Sequence, residues 1–395
     1  MLIKHQSEIA QIISHPSILC LGVGWFPNTG GGLSRHLHDM ACALAEKGAK
    51  VEVGGLGMPS EDAHFKSQNL TLTNLAEAEM PILKRLFALR SEFKKCNPSS
   101  KASINLHFAL YSLPILDYLS SDIPVTFNFQ GPWAFESQQE GANSLVVWLK
   151  KQVELYVYRR CDRFIVLSHA FGKVLHQEYG IDWTKINVIP GGIDSQAFAP
   201  NMTQAEARQQ LGWLQDRKIL FTPRRLVQRM GIDRLLEAIV EVRKVVPDIW
   251  LGIAGKGPVS DQLQQQIYDL KLQDHAVLLG YVPDDLLSVA YQAADITVVP
   301  SISWEGFGLI LVESLACGTP AISTPIGGMP EILRPLDSNL VTESIEVADI
   351  ADRLIQFLSG QLSLPTSEVC RQYAIDNFDW KYLAPKVQEV LIAPK

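Results

Sequence analysis

The chain has 395 residues, of which 47% are apolar, enough to fill the cores of two domains of ordinary size. Lys and Arg number 35 against 42 Asp and Glu, a formal net charge of −7, which disfavours nucleic acid as a partner. Six cysteines without a Cys-x-x-Cys spacing predict reduced thiols. Reduced thiols favour a cytoplasmic protein. Neither a signal-peptide layout nor an apolar run of about 18 residues is found, so we expect no membrane-spanning helix.

The first half of the chain alternates strand-like and helix-like patterns. A strand-like run at residues 18–23 is followed by a glycine-rich loop and by a helix pattern that ends at Gly48. Alternation of this kind is typical of a parallel sheet that helices cover on both faces. Further strands are predicted here at residues 51–53, 103–107, 125–130 and 163–168.

A second alternating series begins after residues 190–200, PGGIDSQAFAP, whose glycines and prolines predict a linker. We therefore expect an α/β fold of two doubly wound, Rossmann-like domains, residues 1–195 and 196–375, with a final helix at 376–395 that completes the first domain. In such sheets ligands bind at the carboxyl ends of the strands, so the expected site is a cleft between the domains. The second series has predicted strands at 219–222, 250–254, 277–279, 296–299 and 321–323, and a helix at 233–246.

Three glycines, Gly30, Gly31 and Gly32, lie between the first strand and its helix. Residues without a Cβ let a ligand approach the backbone closely, although a flexible turn explains them equally well. They do not complete a dinucleotide fingerprint, because Pro27 stands where its third glycine is expected. His107 ends another strand and is the histidine best placed to face the cleft, but a structural role is more common.

The segment 300–328, PSISWEGFGLILVESLACGTPAISTPIGG, is a strand, loop and helix unit with Glu305 and Glu313 eight residues apart. A helix predicted to begin near Gly308 offers free N–H groups and a dipole that bind an anion such as a diphosphate. Carboxylates only accept hydrogen bonds, so each suits a pair of sugar hydroxyls. The spacing alone arises by chance about once in a chain of this length, and its weight comes from the neighbouring motifs.

Arg224 and Arg225 follow a predicted strand, where a guanidinium can clamp a diphosphate. The loops at residues 255–258 and 280–282 follow the next two strands, and the second adds an aromatic face that suits a base. No Asp-x-Asp is present, so the sequence implies no metal, and N–H groups and arginine are expected to neutralise the phosphates.

Residues 81–95, PILKRLFALRSEFKK, carry five basic residues and one acidic residue, a net charge of +5 − 1 = +4. A basic amphipathic helix suits the surface of an anionic membrane and a lipid-linked substrate. The alternative is an ordinary helix that packs on its sheet and turns a basic face to water.

Taken together, these segments resemble the family 4 glycosyltransferases, retaining enzymes of GT-B architecture. The resemblance is strong over residues 185–335 and weaker in the first half. It is carried by VIPGGID, the Arg225-Leu226 turn, IAGKGP, LLGYVP, AADITVVPS, EGFGLILVESLACGTP and TPIGGMPEI.

The resemblance implies a metal-independent hexosyltransferase that uses a nucleotide sugar, with UDP-glucose as first choice. It implies a saccharide or lipid-linked saccharide as acceptor, in polysaccharide or glycolipid biosynthesis, with the enzyme in the cytoplasm or at the inner face of its membrane. Arg225 would neutralise the diphosphate, Glu305 would contact the transferred sugar, and Glu313 would bind the ribose. Further contacts are implied for Phe307, Gly308 and Leu309 at the β-phosphate, Tyr281 and Val282 near the base, and Gly31 and Gly32 from the other domain.

Two positions depart from the family pattern. Met230 stands where a second cationic residue, lysine, is common, and Arg229 is its candidate substitute. Gln130 follows a first-domain strand where a histidine is common; glutamine binds a hydroxyl but is neither acid nor base. Two alternatives stay open: a UDP-sugar epimerase of the same fold, and a catalytically silent sugar-nucleotide-binding protein, which these two departures favour.

Overall fold

The computed structural model describes residues 15–62, 65 and 67–395. The chain divides into two compact units, Met1–Gly192 with Trp380–Lys395, and Ile193–Asp379. Each unit is built on one sheet in which every strand pairing is parallel. The expected doubly wound α/β class is confirmed.

The sheet of the first unit has the strand order β3-β2-β1-β4-β5-β6-β7. The chain adds strands on one side of β1 and then returns to its other side, so the order reverses between β1 and β4. At such a reversal, neighbouring loops leave the sheet in opposite directions and open a crevice. The strands are β1 Ser17–Leu21, β2 Lys50–Leu56, β3 Leu70–Ala76, β4 Ser103–Leu106, β5 Val125–Phe129, β6 Arg163–Val166 and β7 Ile186–Val188.

Helices cover both faces of this sheet, and each face has its own apolar core. One core contains Leu89, Phe127 and Phe164, and the other contains Ile18, Leu37 and Met40. The helices of residues 15–192 are α1 Gly32–Glu46, α2 Ile82–Phe93, α3 Ala109–Ser112, α4 Trp133–Gln139, α5 Ser144–Tyr158 and α6 His169–Tyr179.

The second unit repeats the plan with five strands in the order β10-β9-β8-β11-β12. Its order reverses between β8 and β11. The strands are β8 Lys218–Pro223, β9 Ile249–Ala254, β10 Ala276–Gly280, β11 Ile296–Val299 and β12 Ala321–Ser323. The helices are α7 Gln204–Leu211, α8 Ile232–Val245, α9 Ser260–Asp269, α10 Asp284–Ala293, α11 Leu309–Ala316, α12 Met329–Leu333, α13 Val347–Leu358 and α14 Ser367–Phe378.

The last helix, α15 Trp380–Ile392, belongs to the first unit although it follows the second in the chain. It packs against α1 and β4, and its buried residues Trp380, Leu383 and Val387 join the core on that face. No helix in the described part of the chain has both the length and the apolar character needed to cross a membrane.

All ten strands predicted from the sequence are present, and the structure adds β3 and β7. Most side chains of β3, LTLTNLA, are partly exposed, because it lies at the edge of the sheet and lacks the apolar run of a central strand. The strand β7 has three residues and is the other edge, too short for its periodicity to be recognised.

One carboxylate, Glu154 of α5, lies inside the first unit with its side chain almost fully buried. It accepts hydrogen bonds from the hydroxyl of Tyr179 at 2.8 Å, the hydroxyl of Tyr158 at 3.4 Å and the backbone N–H of Ala134 at 3.3 Å. Burial outweighs these bonds and raises the pKa of Glu154 to about 7.

Because its pKa is raised from 4.5 to about 7, Glu154 makes the folded state less stable as pH rises. Below pH 4.5 Glu154 is protonated in the folded and the unfolded state and does not change the free energy of unfolding. Between pH 4.5 and 7 it ionises in the unfolded chain but stays protonated in the folded one, so the free energy of unfolding falls. By pH 8 the cost approaches ~3 kcal/mol, at about 1.36 kcal/mol per pKa unit. We therefore expect Glu154→Gln to raise the melting temperature more at pH 8 than at pH 5. The exposed Glu140→Gln is the control, and an equal shift of both variants at both pH values would contradict the assignment.

Candidate active site

The strand order of the second sheet reverses between β8 and β11, and the residues after these two strands meet there. Arg224 directly follows β8, and Ser301 comes two residues after the end of β11. Both side chains are buried. The reversal point of an open α/β sheet is where such folds bind their ligands, so the site can be located from topology before any side chain is considered.

Arg224 and Glu305 form a buried ion pair at this point. The Nη2 of Arg224 donates to Oε2 of Glu305 and, at 2.5 Å, to the hydroxyl of Ser301. The Ser301 hydroxyl in turn donates to the same carboxylate oxygen at 3.1 Å. The side chains of Arg224 and Glu305 are 5% and 14% exposed. We call Arg224, Ser301 and Glu305 the switch-point cluster.

The carboxylate of Glu305 stays ionised although it is largely buried. Burial raises its pKa, but the charges of Arg224 and Arg229 and the hydrogen bonds of Arg224 and Ser301 outweigh that effect, and the net pKa lies below its ordinary value of 4.5. The site therefore presents a fixed negative charge beside fixed positive charges. Such an arrangement suits a ligand with both hydroxyl and phosphate groups.

The other predicted cationic residues lie on the loop after β8. Arg225 is exposed, whereas Arg229 is partly buried and donates to the carbonyl of Trp304 at 3.0 Å. Met230 is buried, and its sulfur contacts the Nη2 of Arg224 at 2.5 Å. The guanidinium beside Met230 thus belongs to Arg224, while Arg229 supports the backbone next to Glu305.

Backbone segments approach each other closely around the cluster, at places where only glycine fits. A Cβ on Gly255 would lie 1.9 Å from the carbonyl oxygen of Arg224, and one on Gly327 would lie 1.8 Å from that of Glu305. Both glycines have positive φ, at 136° and 57°. Trp304, directly before Glu305, also has a positive φ of 46°, which is uncommon for a bulky residue and marks local strain.

The helix α11 begins next to the cluster, and no side chain caps its N-terminus. Gly308 takes a left-handed conformation with φ 100° at the N-cap position, and the first turn has no acidic residue. Gly308 and Leu309, which are expected to contact the β-phosphate, lie at this turn. Backbone N–H groups at the N-terminus of a helix bind anions. Phe307 is buried, with its ring 5.7 Å from that of Phe378, and a role for it is confined to its backbone.

Glu313 lies one turn further along α11 and is buried, not on the helix surface. Its Oε2 accepts a hydrogen bond of 2.7 Å from the hydroxyl of Tyr291, a fully buried residue whose ring contacts Phe221 and Phe198. The carboxylate is thereby fixed in orientation. Sequence reasoning did not find Tyr291, because an aromatic residue inside an apolar helix is indistinguishable from ordinary core.

Tyr281 and Val282 follow β10, on the side of β8 away from β11. The Tyr281 ring is 59% exposed, its hydroxyl donates to Asp284 at 3.2 Å, and the Lys256 ammonium lies 5.9 Å from its centre. The ring is thus available to stack against a planar group.

Three predicted residues of the first unit, Gly31, Gly32 and His107, lie at its own reversal point between β1 and β4, whereas Gln130 follows β5. Gly31 and Gly32 open α1 and are exposed, and Gly31 has φ 109°. His107 is buried and follows β4, with its Nε2 3.0 Å from the amide nitrogen of Asn105. Burial lowers the pKa of His107 well below its ordinary value, so its ring is neutral.

The structure also shows a polar face that was not predicted, although residues 103–107, SINLH, and 125–130, VTFNFQ, alternate polar and apolar residues. Residues of β4 and β5 that point to the α1 side are polar and buried, where the residues on the other face are apolar. Asn128 donates to Asn105 at 3.2 Å. Burial lowers the pKa of His36 in α1 to about 4. The members of this polar face are Ser103, Asn105, His107, Thr126, Asn128 and, at its upper end, Gln130.

Two family models match the chain. "Glycosyltransferase Family 4" matches residues 30–197, and "Glycosyl transferases group 1" matches residues 203–377. Together they cover both doubly wound units. The chain belongs to glycosyltransferase family 4. The resemblance seen in its motifs is confirmed.

Among curated relatives, the chain is similar to the GDP-mannose-dependent α-(1-6)-phosphatidylinositol monomannoside mannosyltransferase of Mycolicibacterium smegmatis. The two are 31% identical over 211 residues, which cover 51% of this chain and 55% of that protein. The chain thus spans about half the length of that relative.

Solved structures of glycosyltransferases share the fold over nearly the whole chain. The sucrose-phosphate synthase of Thermosynechococcus elongatus superposes with a TM-score of 0.79 and 20% identity, over 95% of this chain and 98% of that one. HepE of Anabaena, solved in complex with UDP-glucose, gives a TM-score of 0.75 and 20% identity, over 95% and 99%. The family 4 chain therefore has the GT-B fold, as its sequence predicts.

The close backbone contact at Gly255 makes a direct prediction. Gly255→Ala places a methyl group on the Arg224 carbonyl in a left-handed conformation, and we expect a loss of on the order of 3 kcal/mol in unfolding free energy. Gly212→Ala is the control, because Gly212 has φ 67° and open space around it, which leaves only a backbone cost of about 1 kcal/mol. Urea unfolding compares the two; equal losses would show that the contact does not constrain the site.

Proposed function

We propose that this protein is a retaining glycosyltransferase that moves a hexose from a nucleotide sugar to a saccharide or lipid-linked saccharide. The observation that carries the proposal is the switch-point cluster beside the uncapped N-terminus of α11. An ionised carboxylate suits the sugar hydroxyls, and the helix N-terminus suits the diphosphate, without a metal ion. Membership of family 4 supports the same reaction.

In the proposed donor complex, Glu305 contacts the transferred sugar and Arg225 neutralises the diphosphate. Arg225 suits this role because it is exposed on the loop after β8, whereas Arg224 is buried. Glu313, fixed by Tyr291, binds the ribose hydroxyls. Tyr281 and Val282 flank the base.

The proposed transfer occurs on one face of the sugar. The bond between the anomeric carbon and the phosphate oxygen breaks, the acceptor oxygen bonds to that carbon from the same side, and the acceptor proton passes to the leaving phosphate. This path needs no protein base, which agrees with Gln130 at the end of β5. No carboxylate nucleophile or covalent intermediate is required, in contrast to retaining glycosidases.

UDP-glucose is the proposed donor. The Anabaena relative was solved with UDP-glucose, while the mycobacterial relative is named for GDP-mannose, so the donor panel must contain both. Binding of a ligand to the folded state alone raises its melting temperature. A thermal-shift panel of UDP-, GDP- and ADP-sugars identifies the donor, and a larger shift with GDP-mannose would replace UDP-glucose.

The proposed location is the cytoplasm, with contact to the inner face of a membrane through residues 81–95. The helix α2 supports this, since Leu83 and Phe87 are 69% and 74% exposed. Leu89 and Phe93 of the same helix pack into the core. One side of α2 therefore packs on its sheet, as the alternative of an ordinary amphipathic helix expects.

Release of free nucleotide separates the proposal from its alternatives. Purified protein is incubated with each donor, with and without a lipid extract, and both NDP and sugar are analysed. NDP release that depends on acceptor supports transfer. A changed sugar without NDP release indicates an epimerase, and tight NDP binding without turnover indicates a silent binding protein.

The two glutamates are expected to separate binding from chemistry. Glu313→Ala removes the ribose acceptor, so we expect UDP affinity to fall about tenfold or more, the effect of losing a charge-assisted hydrogen bond of roughly 1.5–3 kcal/mol. Glu305→Gln is expected to keep UDP affinity and lose transfer by at least about a hundredfold. Calorimetry with UDP and the NDP-release assay measure the two effects. Unchanged UDP affinity in Glu313→Ala would remove the ribose assignment.

A further inference from the structure

Helix α5, Ser144–Tyr158, exposes four of its large apolar side chains. Leu145, Trp148, Leu149 and Tyr156 are 66%, 56%, 50% and 59% exposed. At 100° per residue these positions fall on one side of the helix, and they form one stripe. We call these four residues the α5 stripe.

The opposite side of α5 faces the core and carries the buried Glu154. Glu154 lies there between Val157 and Tyr158, all buried. A surface helix of a soluble protein normally turns its apolar side inward and its charges outward. Single exposed apolar residues are common, but a stripe that includes Trp and is interrupted only by the exposed Gln152 marks a surface that binds a partner.

The helix α2 lies on the same side of the sheet as α5. Both pack against residues 109–118, and the Arg90 of α2 bonds to the carbonyl of Pro114 at 2.5 Å and to the carboxylate of Asp117 at 2.6 Å. Buried residues of both helices belong to one core. The exposed Leu83 and Phe87 therefore lie on the same side of the unit as the α5 stripe.

The net charge of these two segments is opposite in sign to that of the whole chain, although Arg90, Lys151 and Arg160 pair with Asp117, Glu178 and Asp162 outside them. Residues 144–160 contain four basic residues and one acidic residue, the buried Glu154, a net charge of +4 − 1 = +3. Residues 81–95 contribute +4, so the two segments sum to +7 in a chain of −7. Exposed Arg159 continues the stripe one turn beyond Tyr156. An anionic partner is favoured over a second copy, since two copies would oppose equal positive charges.

We propose that the α5 stripe inserts into the surface of an anionic lipid bilayer. Trp and Tyr rings prefer the interface between acyl chains and headgroups, and the basic residues of α5 and α2 attract the acidic headgroups. This goes beyond the contact proposed for residues 81–95, because α5 has more exposed large apolar side chains than α2 and the only exposed tryptophan of the two helices.

Vesicle binding tests the proposal. Full-length protein is mixed with phosphatidylcholine vesicles that contain about 30% phosphatidylglycerol, whose anionic headgroups attract basic residues. Pure phosphatidylcholine vesicles are used in parallel, and bound protein is sedimented. The variant Trp148→Gln/Leu149→Gln is expected to lose about tenfold or more in partitioning to the anionic vesicles. Tyr268→Gln is the matched control, since Tyr268 is 66% exposed in the second unit, and it should bind as the wild type does.

Two results would overturn the proposal. The first is equal partitioning of the double variant and the wild type to anionic vesicles. The second is that the wild type does not bind anionic vesicles but self-associates in sedimentation velocity, and that the double variant abolishes this self-association. In the latter case a second copy covers the stripe. Leu83→Gln/Phe87→Gln, measured in parallel, separates the α2 contact from the α5 stripe.

The vesicle result is independent of the proposed reaction. The substituted residues are exposed, so melting temperature and UDP affinity of the double variant are expected to equal those of the wild type. Lost vesicle binding with intact UDP affinity supports the proposal even if no donor is turned over. Lost UDP affinity or a lowered melting temperature would instead attribute the effect to damaged folding and count against the stripe as a separate surface.

Discussion

The ion pair between Arg224 and Glu305 is the interaction on which the candidate active site depends. A buried carboxylate without a partner takes up a proton or destabilises its surroundings. Here the guanidinium and the Ser301 hydroxyl keep it ionised and fix its direction. The pair also joins the loop after β8 to the loop after β11, so one interaction sets both the charge of the site and the distance between the two elements that border the reversal point.

The backbone around this pair explains why the charge can be held so firmly. Backbone hydrogen bonds join the segments at the ends of neighbouring strands. The N–H of Arg224 donates to the carbonyl of Ala254 at the end of β9, and the N–H of Gly328 donates to the carbonyl of Glu305. Glycines at 255 and 327 permit these approaches. A site preorganised in this way need not rearrange as charge develops on a leaving phosphate, which is the main source of electrostatic catalysis.

The two units place their polar groups differently. In the second unit the charged residues gather after the strands, above an apolar sheet. In the first unit, polar side chains also lie along β4 and β5, on the face that points to α1. They include Asn105, Asn128 and the neutral His107, and they lie near the neutral His36 of α1. Groups of this kind give and accept hydrogen bonds without carrying charge, which suits hydroxyl-rich ligands better than phosphates. Helices α2 and α5 differ from both ligand-binding edges, because their exposed sides combine apolar and basic residues. The proposed membrane surface is therefore separate from the carboxyl ends of the strands.

The sequence by itself determined the class of fold, the order of helices and strands, and the segments that end at the sheet edges. Those features follow from local periodicity and from glycine positions, which tertiary packing did not override; only the edge strands β3 and β7 gave too weak a local pattern. It also singled out Glu305, Glu313 and the arginines after β8. Tertiary structure decided which arginine pairs with Glu305, that Glu313 is buried against Tyr291, and that α5 is apolar on its outer side. Those properties depend on which side of an element faces the core and on contacts between residues far apart in the chain, such as Arg224 and Glu305, about which local pattern carries no information.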